Sequence, residues 1–410
     1  MSHSTTSLPI SGRIATLDII RGVALLGILI MNMPGFSASS FAGADGSFLW
    51  PGHVDRWAEG LRDGLFSGKF NSMFSLLFGL GFTIQYGNLR ARDPANADAI
   101  YLRRIAWLGV FGVIHALIFW GGDILHIYAL FGMLILFPLR HASERTIIVL
   151  MVICLLYPAA AGPLRLWLDT PEITAGIVRQ MQALEVGENA AYGRGSFFDG
   201  VVQNVRSFQS LYGNPWTLWG TFNSYLPVAM TMLLGLYAGR RQWAQRIPEL
   251  MPNIPRLQWI ALAVGLACAL AFTLIFEYNR TPGPSPIKVV GRLCYLTSRL
   301  ALMIFYVLCI VRFAQTARGQ RWLAPLALVG RMPLTNYLMQ TLICITLFYG
   351  WGFALWGRVG PAAGFAIAVA IFFVIQVPWS LWWLRRHERG PMEWLWSRLT
   401  YRQAQAKSLT

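Results

Sequence analysis

Charge is scarce in this chain. Only 13% of its 410 residues are Asp, Glu, Lys or Arg, where a soluble domain carries about a quarter. By contrast, 55% are apolar and 14% aromatic. No soluble fold of this size can hide that much apolar surface, because a large share of any surface must face water. Hydrocarbon is the expected solvent, and the lipid bilayer the expected partner. Acid is scarcer than base, which leaves a net charge of +16. No basic helix or RNA-binding motif accompanies that excess, so nucleic acid is not an expected partner. Arginine of this kind marks loops that stay in the cytoplasm. Cysteine is sparse as well. Cys154, Cys268, Cys294, Cys309 and Cys344 are scattered, form no CxxC or metal spacing, and read as small core hydrophobes. There is no nucleotide-binding loop and no GxSxG. Neither a metal nor a tightly bound cofactor is expected.

What is present is a series of long apolar runs. A helix needs about 20 apolar residues to cross about 30 Å of hydrocarbon. Ten runs qualify, at 14–33, 68–88, 103–121, 123–139, 146–166, 217–238, 257–277, 293–313, 323–349 and 362–384. The fold class is therefore all-α, a polytopic membrane helix bundle of about ten transmembrane helices. The first run has the outline of a signal peptide, with Arg13 before it and Ala38-Ser39-Ser40 after it. Asp18 and Arg21, for which a signal has no use, favour an uncleaved first span.

Arginines gather at alternate connections. Arg90, Arg92, Arg103 and Arg104 share one, and Arg240, Arg241, Arg246 and Arg256 another. The bias predicts that both termini are cytoplasmic, in the inner (plasma) membrane of a bacterium. The chain divides into a first five-helix half (1–166) with the candidate site, an extracytoplasmic loop (167–216), a second half (217–388) and a tail (389–410). Five spans per half is the arithmetic of inverted-repeat transporters. Residues 172–186 suit a short amphipathic helix, and RGPMEWLWSRLTY an interfacial anchor helix that starts at Pro391.

An ionisable group inside a span costs roughly 2.5–3.5 kcal/mol on insertion scales, so such groups pair, line a cavity or do chemistry. Asp18 and Arg21 lie three apart on one helix face, either as a structural ion pair or as an anion site. Asn32 follows Arg21 by close to three turns, on a similar face. His115 lies in the third span and Asp123 just past the Gly121-Gly122 turn. So tight a turn brings them together, and a carboxylate that accepts the imidazole N–H raises its basicity. That is the arrangement of a general base, although a lone membrane His is often a bonded core residue. His126 and Tyr128 extend the network. Lys69 stands at the outer mouth of the second span, either snorkelling or serving an anionic site. His53 lies in the first outer loop. Arg299, Asn336 and Gln340 are polar near mid-membrane, and the last two share a face. They either glue helices together or line a cavity.

LDIIRGVALLGILIMN, KFNSMFSLLFGLGF, RRIAWLGVFGVIHALIFWGGDILHIYALFG, GRMPLTNYLMQTLICITLFYG and RGPMEWLWSRLTY resemble the YeiB-like family of bacterial membrane proteins of unknown function. The opening LDxxRGxALLxI is similar to the start of the transmembrane acyltransferase superfamily, which includes the heparan-α-glucosaminide N-acetyltransferases. Many glycan enzymes of that superfamily place a His eleven residues after the Arg, where this chain has Asn32. The glucosaminide enzymes look Asn-like there and carry their catalytic His in the following outer loop. His53 is the nearest positional match, but its flanking residues differ, which leaves His115 the candidate base on physical grounds.

Two functions compete. One is acyl transfer to an extracytoplasmic glycan or small acceptor. Acyl-CoA is the candidate co-substrate at Arg21, His115 the base, Asp123 its partner, and Asn32 or Lys69 the oxyanion donor. The other is transport of a small anionic or amphiphilic solute through the same polar residues. A static scaffold is the third reading. Composition does not address oligomeric state.

Overall fold

The computed structural model describes residues 12–213 and 215–407, and every regular element among them is helical. In chain order these are α1 (Gly12–Ser37), α2 (His53–Leu65), α3 (Lys69–Arg92), α4 (Ala97–Ile114, continued by a π-turn His115–Phe119), α5 (Leu125–Phe131), α6 (Glu144–Leu168), α7 (Pro171–Arg194) and α8 (Phe197–Tyr212). The second part holds α9 (Pro215–Arg240), α10 (Ile247–Leu250), α11 (Ile254–Tyr278), α12 (Pro286–Ala314), α13 (Ala317–Arg331), α14 (Pro333–Phe348), α15 (Pro361–Ala370), α16 (Val377–Leu384) and α17 (Pro391–Lys407). The helix starts carry the usual chemistry. Ser143 and Thr170 accept backbone N–H groups at the starts of α6 and α7, and Ser196 with Asp199 forms a capping box on α8.

All ten apolar runs are helical. Among the described residues, six helices are long and apolar enough to cross a membrane by length and composition. Leu125–His141 and Pro333–Phe348 are apolar but shorter. The run at 323–349, expected as one span, is two helices. Met332 leaves helical geometry (φ −124°, ψ 54°) and Pro333 opens α14. Proline has no N–H to continue the ladder and crowds the residue before it out of the helical region. The expected short helix at 172–186 is the longer α7 followed by α8. The first outer loop, between the runs at 14–33 and 68–88, contains α2.

The bundle is arranged around α1. Of its apolar window 61% is buried, against 17% for the helical segment that contains α11, so the first span is central and α11 peripheral. α1 packs on α13, α14, α15 and α3; α3 packs on α9 and α12. At the α3–α9 crossing a Cβ on Gly79 would stand 1.9 Å from the Met232 carbonyl oxygen, and one on Gly235 2.1 Å from that of Leu76. Only glycine lets the backbones come this close, as is usual where helices meet in lipid. Leu134, Leu156, Trp259, Leu270 and Val374 are exposed around the perimeter. So much exposed apolar surface marks contact with lipid rather than water.

The two ends of the bundle differ. One carries α2, α7 and α8. The other carries the α5–α6 and α9–α10 connections, which Arg240 ties together through the Leu139 and Ala142 carbonyls. It also carries α17. The tail helix is docked on protein: Trp396 Nε1 donates to the Arg104 carbonyl, and the Arg104 guanidinium lies 3.6 Å from the Trp396 ring centre. Glu393 reaches the first turn of α14, where it accepts from the Leu334 and Thr335 amides and from the Thr335 hydroxyl. A carboxylate there satisfies donors that the helix cannot, and suits the positive end of its dipole.

Candidate functional site

Polar side chains meet in the interior near the α7–α8 end. Asp123 follows the Gly121-Gly122 turn, and both its oxygens are used. His115 Nδ1 lies 2.8 Å from Oδ1, and His126 Nδ1 lies 2.7 Å from Oδ2. The His126 amide also donates to Oδ2. A carboxylate only accepts, so each imidazole presents an Nδ1 proton to Asp123, and in the neutral ring Nε2 is then the acceptor. The Thr341 hydroxyl then donates to His115 Nε2 at 2.9 Å, and the Tyr212 hydroxyl to His126 Nε2 at 2.8 Å. One line of bonds thus runs from Thr341 on α14 through His115, Asp123 and His126 to Tyr212 on α8. His115 is 2% exposed and Asp123 1%. The Tyr337 ring covers His115 at 5.3 Å. His115 opens the π-turn of α4, a local departure from the α-helix frequently found at functional sites.

A second group borders the first. The Tyr128 and Ser75 hydroxyls meet at 3.0 Å over the Asn71 carbonyl. Arg299 Nε donates to the Ser72 hydroxyl at 2.6 Å. Lys69 does not snorkel. It is 0% exposed, and its Nζ donates to the Asp63 carbonyl at 3.1 Å.

The other expected residues lie apart. Asp18 and Arg21 form their ion pair on α1. Asn32 is half-buried and makes no side-chain hydrogen bond among the described residues. Asn336 and Gln340 join Gln376 and Ser380 in a closed network. Gln340 Nε2 donates to the Leu25 carbonyl and to Gln376 Oε1, and Gln376 Nε2 to the Asn336 carbonyl. All four side chains are buried, so this group glues α1, α14 and α16 together. His53 is exposed at the start of α2 and is not brought to the His115 group. Among the described residues no group of three or more His, Cys, Asp or Glu is placed to hold a metal ion.

Thr341, Tyr212, Tyr337 and Ser72 belong to the site but were not foreseen from sequence. Thr341 had a signal, since it directly follows Gln340 inside an apolar run. Tyr212 had none, because it arrives on a separate helix. A further buried acid, Glu188 of α7, accepts from the Ser39 hydroxyl at 2.6 Å and the Ser40 amide at 3.2 Å. Beside it lies a cavity of about 210 Å³ lined by Ser37, Ser39, Glu59, Arg62 and Arg280 among others.

Residues 238–403 match the family model described as "Protein of unknown function (DUF418)". The chain is 30% identical to the uncharacterized protein YxaH of Bacillus subtilis (strain 168) over 407 residues, covering 95% of this chain and 94% of that protein. It is 31% identical to the uncharacterized protein YeiB of Escherichia coli (strain K12) over 422 aligned positions, covering 96% and 97%. An uncharacterized 39.9 kDa protein of Bacillus acidopullulyticus is 26% identical over 393, covering 95% and 94%. No solved structure matches.

Proposed function

The chain belongs to the family of YxaH and YeiB, and from that premise we propose that this multi-pass membrane protein transfers an acyl group from a cytoplasmic thioester to an acceptor at the opposite face. The observation that carries the reading is the Thr341–His115–Asp123 line. A carboxylate fixes one imidazole nitrogen, and the other faces a hydroxyl. An acceptor hydroxyl or amine takes the place of the Thr341 hydroxyl and gives its proton to His115 Nε2. Its oxygen or nitrogen attacks the thioester carbonyl. The tetrahedral intermediate collapses with loss of the C–S bond, and the leaving thiolate takes the proton from His115. Asp123 holds the imidazolium between the two steps. The arginine bias supports a cytoplasmic α17 end, where Arg21 and its neighbours would suit the phosphates of acyl-CoA.

The test is acyl-CoA hydrolysis or acyl transfer by the purified protein in detergent. A general base contributes about 10²–10⁴-fold, so His115→Ala is expected to lose that factor, and Asp123→Asn a similar one. Absence of acyl-CoA binding, or full activity in His115→Ala, overturns the reading.

Proton-coupled solute transport is supported by a different aspect of the same line. His115, Asp123 and His126 are enclosed and joined end to end, as a proton relay requires. Uptake into proteoliposomes that needs a proton gradient and is lost in Asp123→Asn would favour it.

A further inference from the structure

We infer that Lys69 and Arg299 form a binding site for one phosphate-type dianion, at the end of the bundle that carries α2. The site does not depend on acyl transfer; it stands or falls by its own chemistry. Both cations are enclosed, Lys69 at 0% and Arg299 at 4% exposure. They are neighbours. A Cβ on Gly68, the residue before Lys69, would stand 3.0 Å from Arg299 Cδ and 2.5 Å from the Tyr295 hydroxyl. Gly68 adopts φ +77°, which turns the chain so that Lys69 enters the bundle at the start of α3. The Lys69 ammonium lies 5.5 Å from the Tyr295 ring centre, and the Arg292 guanidinium 5.4 Å from the same ring.

What this cluster lacks is an anion in direct contact. Among the described residues no carboxylate forms an ion pair with Lys69 or Arg299. Asp63 gives Lys69 only its backbone carbonyl and turns its carboxylate to Arg62. Arg299 uses Nε on Ser72, while Nη2 is buried and has no hydrogen-bond partner among the described residues. An unpaired buried ion costs several kcal/mol even after the surroundings relax. Two basic groups held side by side, with donors to spare, make an interior complementary to an anion that binds there. Charge sets the class. A carboxylate offsets one of the two cations, while a phosphate monoester as a dianion offsets both. The guanidinium fork takes two of its oxygens, and the ammonium a third.

The ligand is a phosphate monoester, free in solution or at the head of a lipid. The experiment uses the full chain in detergent and follows its thermal midpoint as inorganic phosphate is titrated. A parallel arm adds phosphatidic acid in mixed micelles, with phosphatidylcholine as the control lipid. A saturable rise with phosphate assigns a free anion, and a rise with phosphatidic acid alone assigns the lipid headgroup; either supports the site. Lys69→Met and Arg299→Gln are expected to abolish the rise. Ser72→Ala leaves both charges and removes only the hydroxyl that aims Arg299, so it is expected to fold and to weaken binding about tenfold. No rise with either ligand overturns the proposal, as does a rise that survives unchanged in Ser72→Ala and in whichever charge variant folds.

Discussion

Glu188 makes the docking of α7 dependent on pH. Its carboxyl is 6% exposed and lies against the Ser39 hydroxyl and the Ser40 amide. Burial pushes it up from 4.5 to about 7, and these two hydrogen bonds offset only part of the rise. Released from its pocket, the group titrates at the ordinary value. The folded form therefore holds its proton more tightly than the open form. The stabilisation is fully present below about pH 4.5 and is lost as pH rises through about 7. A shift of this size is worth on the order of 3 kcal/mol, of which about 2 kcal/mol falls between about pH 5.5 and pH 8. In the equilibrium between docked and open α7 that is about thirtyfold. Hydrogen–deuterium exchange of peptides from α7 and from residues 38–40 reads it directly, after correction for the intrinsic pH dependence of exchange. Glu188→Gln keeps the neutral shape at every pH, so its corrected protection is expected to be flat. Equal protection of the wild type at both pH values, or the same slope in Glu188→Gln, refutes the reasoning.

Other consequences follow from hydrogen bonds that have no substitute. Glu393→Ala leaves three donors of α14 without their acceptor. It should cost about 2–4 kcal/mol, seen as a lower thermal midpoint and release of α17 to protease; an unchanged midpoint contradicts the latch. Gln376→Leu strips the Asn336–Gln340 network of its central member and should destabilise by about 1–3 kcal/mol, with acyl-transfer kinetics per folded molecule unaltered. Gly79→Leu sets a side chain against the Met232 carbonyl and should prevent recovery of folded protein from the membrane, measured by gel filtration in detergent.

The membrane fold was legible because hydrocarbon leaves its mark on composition and run length, and every apolar run is helical, one of them in two pieces. The break at Met332–Pro333 was less visible: apolarity continues through it, and the proline that divides it also opens α14. α2 was missed for the opposite reason, since HVDRWAEGLRDGL carries too much charge to register as a span. His115 and Asp123 could be paired from sequence because a glycine turn joins them locally. Their outer partners could not, because Thr341 and Tyr212 lie far along the chain and only packing brings them in. Lys69 was placed correctly along its helix but not in depth. Nothing in its own neighbourhood reports that Arg299 and Tyr295 lie against it.

The latch from Glu393 to α14 also bears on biogenesis. The donor helix is synthesised 58 residues before its acceptor side chain, an interval of about three to twelve seconds at ordinary rates of translation. During that time the middle of the bundle waits, its first-turn amides open to water or to the insertion machinery. A stop codon just ahead of Glu393 would therefore leave α1 to α16 in place, yet would strand an internal joint in its nascent state and expose it to membrane quality control.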